Sequence, residues 1–243
     1  MPHYRLSISY DGTDFHGYAK QPDLRTVQGE LERALVQVGG SAETVVAGRT
    51  DAGVHARTQV VSTTIAREVK AARLHNALER LLPDDIGIKE VSEADPSFNA
   101  RFDAVARTYR YFVLQTRWQD PFRRNTHWQI DGRLDRARMN EGAAHLVGEH
   151  DFSSFCRAAE GRSMVRRIFS AEWHTDAPRV VRFEVSGASF CHQMVRSMVA
   201  VLVNVGTGQL DPDEVVAIRD AKDRRTARGV APPQGLYLWN VSY

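Results

Sequence analysis

Thr44-Val45-Val46 is followed by Ala47-Gly48-Arg49-Thr50-Asp51-Ala52-Gly53-Val54-His55-Ala56-Arg57, and then by Thr58-Gln59-Val60-Val61-Ser62-Thr63-Thr64-Ile65. The two flanking runs are rich in β-branched residues, and such runs joined by a glycine-containing connection read as a β-hairpin. Hairpins commonly close in about two to five residues. This connection is longer, so it is expected to do more than turn the chain. Gly48 and Gly53 let its backbone approach a ligand or take positive φ. Between them stand Arg49 and Asp51, with His55 and Arg57 just beyond. Spacing alone leaves two readings open: a solvated hairpin tip with ordinary surface charges, or a site that uses an ionised carboxylate flanked by cations.

Working outward, Arg5–Tyr10 alternates apolar and polar residues, as a half-buried strand does, and stops at Asp11-Gly12. Thr26 can cap a helix that places Val27, Leu31, Ala34, Leu35 and Val38 on one face, and Gly39-Gly40 ends it. A second helix is expected from Leu74, Leu78 and Leu81, stopped by Pro83, and Ile86–Val91 forms another strand. The first ninety or so residues thus read β-α-β-β-α-β, the order of the ferredoxin-like split βαβ unit. The second half repeats that order more loosely. Strands are expected at Tyr109–Leu114, 167–175, 180–186 and 236–241, and helices at Leu134–Val147, Phe190–Val205 and, after Asp211-Pro212, 213–222. The fold class expected is α+β: two ferredoxin-like βαββαβ-type halves, residues 1–105 and 106–243, with mainly antiparallel sheets meeting at a central basic cleft.

The totals set bounds. The chain has 243 residues, 42% hydrophobic and 26% charged, ordinary for a globular protein. No apolar run approaches the ~20 residues that span a bilayer, and Met1–Arg5 lacks a signal-peptide design. Cys156 and Cys191 are the only cysteines, so a disulfide framework is not expected and a reducing cytoplasmic location is. The net charge is only +2, yet Lys20, Lys70, Lys89 and Lys222 are the only lysines among 32 basic residues. Arginine suits bidentate phosphate contacts and stacking on bases, although a GC-rich genome gives the same bias. Four clusters stand out: Arg101/Arg107/Arg110, Arg117/Arg123/Arg124, Arg162/Arg166/Arg167 and Arg224/Arg225/Arg228.

Few patterns remain for chemistry. The histidines show no HxxxH or HExxH spacing, so no metal site is expected. No GxxxxGK[ST], GxGxxG or nucleophile elbow occurs. In the apolar segment 190–205, Arg196 is the only arginine or lysine, with His192 one turn earlier. It is placed either to reach solvent or to meet an anion. Tyr109 and Tyr111 share a strand face, suited to sheet packing or to base stacking. The carboxylate of Asp51 is left as the best candidate for chemistry.

Gly48-Arg49-Thr50-Asp51-Ala52-Gly53-Val54-His55 resembles the active-site signature of the TruA family of tRNA pseudouridine synthases. Other segments resemble that family in register: Tyr10–Phe15, Thr26–Leu31, Phe98–Phe102, Arg107–Tyr111, Asp151–Phe155, Met194–Arg196 and Gly235–Leu238. One departure is Gly17-Tyr18, where the family usually has Gly-Trp. The resemblance implies isomerisation of uridine to pseudouridine at positions 38, 39 and 40 of the tRNA anticodon stem-loop, without cofactor or metal. It also implies a homodimer with tRNA as partner; no membrane partner is expected, since no apolar run is long enough to span a bilayer. Asp51 is then the nucleophile and Arg196 the cation that holds it ionised. Tyr109 stacks on the target uracil, and Arg49 fills the space of a flipped base or binds its phosphate. A silent RNA-binding module would have no use for Asp51. A glycosidase would need a second carboxylate about 5–9.5 Å away, for which Asp11 and Asp14 are the nearest candidates in sequence.

Overall fold

The computed structural model describes residues 1–40, 42–157, 161 and 163–243; Arg162 of the third arginine cluster lies outside them. In chain order the first elements are β1 (His3–Tyr10), α1 (Val27–Gly39), β2 (Ala42–Val46), β3 (His55–Ile65), α2 (Ala71–Leu81) and β4 (Ile86–Glu93). The later ones are β5 (Ala106–Gln115), β6 (Trp128–Ile130), α3 (Arg136–Ala144), β7 (Gly148–Asp151), β8 (Val165–Ala177), β9 (Val180–Gly187), α4 (Met194–Gly206), α5 (Glu214–Asp220) and β10 (Leu236–Ser242). The chain divides into two compact units, Met1–Val105 with Tyr237–Tyr243, and Ala106–Leu236. Among the described residues no helix is long and apolar enough to cross a membrane.

The first unit has the ferredoxin-like strand order β4-β1-β3-β2, antiparallel throughout. Alternation in β1 buries Tyr4, Leu6, Ile8 and Tyr10, with Leu6 opposite Val61 on one side and Val91 on the other. Helix α1 starts where the Thr26 hydroxyl accepts from the Gly29 amide at 3.3 Å. It buries Val27, Leu31, Ala34 and Leu35. Leu74 and Leu78 of α2 are fully buried, whereas Leu81 is exposed. Each fully buried leucine or isoleucine contributes about 1.5–3 kcal/mol, so this shared core is what holds β3, and the loop before it, in place.

The second unit pairs β5, β9, β8 and β7 in an antiparallel sheet, with β6 parallel on the edge of β5. Trp173 is fully buried against Phe183, its ring centre 5.1 Å away. The Asn140 side chain bonds both the N–H and the C=O of Trp173, at 2.7 and 3.2 Å. Helix α4 buries eleven of its thirteen residues, which makes it a core helix rather than a surface one.

Several expectations are corrected. The last strand was expected to close the second half. Instead β10 runs parallel to β3, Tyr237 opposite His55 and Leu238 opposite Ala56, and Tyr237–Tyr243 belong to the first unit. A parallel partner needs a long connection, so chain order carries no sign of it. The helix expected from Phe190 begins at Met194, because Gln193 takes φ 64 and ends the turn before it; His192 therefore lies outside the helix. Helix α3 is shorter than 134–147, although Asp135 caps it as expected. Helix α5 starts after Asp213 rather than Asp211. Cys156 and Cys191 are joined, their Cα atoms 5.8 Å apart, a single cross-link between the segments that precede α4.

Candidate active site

Residues 47–54 leave the sheet between β2 and β3 and return through a tight turn. The Asp51 carbonyl accepts from the Val54 amide at 3.1 Å. Gly53, the third residue of that turn, takes φ 74, which glycine adopts without steric cost. Asp51 is half-buried, Arg49 is exposed and Thr50 is buried.

The loop is held from both sides. Gln59 on β3 donates its side-chain amide to the Gly48 carbonyl at 2.7 Å and to the Tyr10 hydroxyl at 3.3 Å. The Tyr10 and Thr50 hydroxyls are bonded at 2.8 Å. Burial pushes the Tyr10 phenol up to about 12, offset only in part by those two hydrogen bonds, so it is a neutral clamp. From the opposite side, the Tyr18 amide donates to the Thr50 carbonyl at 3.1 Å and the Gly53 amide to the Phe15 carbonyl at 3.3 Å. Gly12 lies so close to this loop that a Cβ there would sit 2.0 Å from the Val54 carbonyl oxygen. The 11–25 segment is itself anchored by Arg25. Its guanidinium meets both oxygens of Asp85 at 2.7 and 2.9 Å and lies over the Phe15 ring at 4.2 Å.

His55, one of the cations in the ionised-carboxylate reading of the loop, is buried at the start of β3, its ring stacked on Tyr237 at 4.5 Å. Its Nδ1 is 3.0 Å from the Gly12 amide nitrogen and 3.1 Å from Asp11 Oδ1. Accepting the amide proton requires a bare Nδ1, while donating to the carboxylate requires a protonated one, so the imidazole tautomer selects the contact. Burial alone would raise the Asp11 carboxyl. The hydroxyl and amide of Thr13, with the His55 ring, outweigh it and hold the carboxyl below its ordinary range.

Of the other expected site residues, Tyr109 and Arg196 lie in the second unit. Tyr109 on β5 is 8% exposed and meets the Phe190 ring edge-on at 5.0 Å. Two strand positions on, the Tyr111 hydroxyl donates to the Pro232 carbonyl at 2.7 Å. Arg196 on α4 donates Nε to the neighbouring Ala231 carbonyl at 2.7 Å, and its own carbonyl accepts from the Ala231 amide. The 231–232 segment thus ties the Arg196 helix to the Tyr109 strand. Among the described residues no group of three or more His, Cys, Asp or Glu could hold a metal ion.

The arginine clusters separate into different kinds. Arg107 is buried on the Ala188 carbonyl, and Arg110 pairs with Glu184 across the β5–β9 ladder. Arg224 holds the Ser197 hydroxyl and the Ala227 carbonyl, and Arg225 pairs with Asp223. Only the pattern of charge was visible in sequence; burial and cross-strand register, which it does not show, decide the role. The Tyr10–Thr50–Gln59 clamp was missed for the same reason. It becomes apparent once β1 pairs with β3, Ile8 opposite Gln59 and Tyr10 opposite Ala56.

A family described as tRNA pseudouridine synthase matches residues 6–103 and 143–243. The tRNA pseudouridine synthase A of Bacillus subtilis (strain 168) is 44% identical over 243 residues, covering 98% of each chain. That of Listeria innocua serovar 6a is 40% identical over 247 residues, covering all of both. Identity at this level over the whole length, with the Asp51 loop inside the matched span, means that the chain belongs to the tRNA pseudouridine synthase family, enzymes that isomerise uridine in tRNA.

Proposed function

We propose that the enzyme converts uridine to pseudouridine at positions 38, 39 and 40 of the anticodon stem-loop, with Asp51 as nucleophile on a flipped-out nucleotide. The glycosidic C1′–N1 bond breaks, the uracil turns, and a C1′–C5 bond forms; the C5 proton leaves and N1 ends protonated, so no co-reactant is consumed. A base inside a helix is out of reach, and extrusion of the nucleotide is the general solution. The observation that supports Asp51 is the fixing of its loop by Gln59, Tyr10, Tyr18 and Phe15, because a nucleophile must be held within a fraction of an ångström of its target. A carboxylate nucleophile can attack either C1′ or the uracil ring.

In this reading Arg196 is the counter-charge that favours the carboxylate anion, Tyr109 stacks on the uracil, and Arg49 fills the vacated space or binds phosphate. The working species is a cytoplasmic homodimer. Tritium release from tRNA carrying 5-tritiated uridine tests the reaction: release should be stoichiometric with pseudouridine and confined to positions 38–40. Conversion confined to other positions would overturn the site assignment and leave the isomerase intact. Replacing Tyr109 with Phe keeps the stack, so a large rate loss would assign the hydroxyl a part in removing the C5 proton.

A further inference from the structure

One arginine cluster is absorbed by neither the core nor the proposed site. The 116–127 loop of the second unit carries Arg117, Arg123 and Arg124 together with Trp118, 65% exposed, and Phe122, 94% exposed. The loop that carries these rings is held by its own hydrogen bonds. The Asp120 amide and carbonyl are both bonded by the Gln129 side chain, at 2.9 Å each. The Asp120 carboxylate accepts from the Phe122 amide at 3.0 Å, and the Thr116 hydroxyl donates to the Trp118 carbonyl at 3.1 Å. These bonds fix the loop backbone from which the two exposed rings project, which lowers the backbone's share of the ordering cost of a stack.

Trp118 stands between two open hollows of about 390 and 860 Å³, both of which it lines together with Thr116 and Arg179. The Arg179 guanidinium lies 5.7 Å from the Trp118 ring centre. Arg117, Arg123, Arg133 and Arg136 also line the hollows, against the carboxylates of Asp120 and Asp131. Asp120 faces Arg123 and Asp131 faces Arg117, each at 3.9 Å, and among the described residues Arg124, Arg133 and Arg179 form no ion pair.

We propose that this surface is a second RNA contact, on which Trp118 and Phe122 stack against exposed bases of tRNA while Arg124, Arg133 and Arg179 hold the flanking phosphates. Aromatic rings with arginines around them are the chemistry of base stacking beside a polyanion. A second copy of the chain on the same patch would bring the uncompensated arginines against one another, which disfavours self-association. The surface shares no residue with Asp51, Arg49, Tyr109 or Arg196.

The test uses the full chain and an unmodified full-length tRNA transcript. The Trp118→Ala/Phe122→Ala variant should fold normally, bind tRNA about 5- to 150-fold more weakly per lost stack, and keep wild-type turnover at saturating tRNA. In the wild type, tRNA should quench a tryptophan signal that is missing in Trp118→Phe. Arg124→Ala and Arg179→Ala should each lower the salt dependence of binding by about one counterion. Unchanged affinity and salt slope would overturn the proposal. So would a variant that sediments as a smaller species than the wild type, since the patch would then be a protein interface.

Discussion

Gly12→Ala is the most informative small perturbation of the Asp51 loop. The added Cβ would sit 2.0 Å from the Val54 oxygen and 2.5 Å from its carbonyl carbon, both backbone atoms that cannot swing aside. Relieving the oxygen contact to the 3.0–3.4 Å that tight Cβ packing tolerates moves the two segments apart by 1.0–1.4 Å. Val54 is bonded to the Asp51 carbonyl through the same tight turn, so the shift passes directly to the carboxylate-bearing residue. The Gly12–His55 hydrogen bond is also put at risk, at about 1 kcal/mol, with overpacking of a well-filled site adding about 1–3 kcal/mol. A displacement near 1 Å at a reacting group costs roughly 10²-fold in rate. Single-turnover pseudouridine formation should therefore fall by about that factor while tRNA affinity stays near wild type. Asp14→Ala, on an exposed residue of the same segment, serves as control. A folded Gly12→Ala enzyme with a rate within about twofold of wild type would refute the claim that this contact positions Asp51.

Two further outcomes follow from buried tyrosines. The Tyr18 hydroxyl is buried with no hydrogen-bond partner among the described residues, at the position where the family usually has tryptophan. Tyr18→Phe removes an unsatisfied polar atom and should raise stability by about 1 kcal/mol, a rise of about 2–4 °C in thermal midpoint; a lower midpoint would mean that the hydroxyl is satisfied in solution. Burial raises the phenols of Tyr10, Tyr18, Tyr111 and Tyr237, that of Tyr10 to about 12. The folded chain keeps these protons where the unfolded chain releases them near pH ~10, so their contribution to stability is full below that pH and is lost as pH rises through the folded values. Phenolate absorbance of these four should accordingly appear only well above pH ~10 or on unfolding, and reversible ionisation of all seven tyrosines near pH ~10 in the folded protein would contradict the raised values.

Elements whose own residues carry the signal were legible in the sequence. The alternation of β1, the Thr26 cap and the Leu74/Leu78 spacing all predict what the structure contains. Elements made by partners were not. β7 reads Gly-Glu-His-Asp, without apolar alternation, and exists through its ladder with β8. β6 is three residues on a sheet edge, and β10 finds β3 from the far end of the chain. The same division holds at the site. Asp51 stood out as a carboxylate on a glycine-framed loop, but His55 looked like a loop cation until β10 brought Tyr237 over its ring. The arginine clusters looked alike in sequence; burial of Arg107 and the hydrogen bonds of half-buried Arg224 separate these two from the exposed Arg124.

In the proposed reaction the Asp51 carboxylate performs the isomerisation. Asp51→Asn keeps the size of the side chain and removes its charge, leaving Tyr10, Thr50 and Gln59 to hold the loop as before. Measured with tritiated tRNA, this variant should bind tRNA with near wild-type affinity and release no tritium above background. Release at a rate comparable to wild type, with pseudouridine formed, would contradict the assignment of Asp51 as nucleophile.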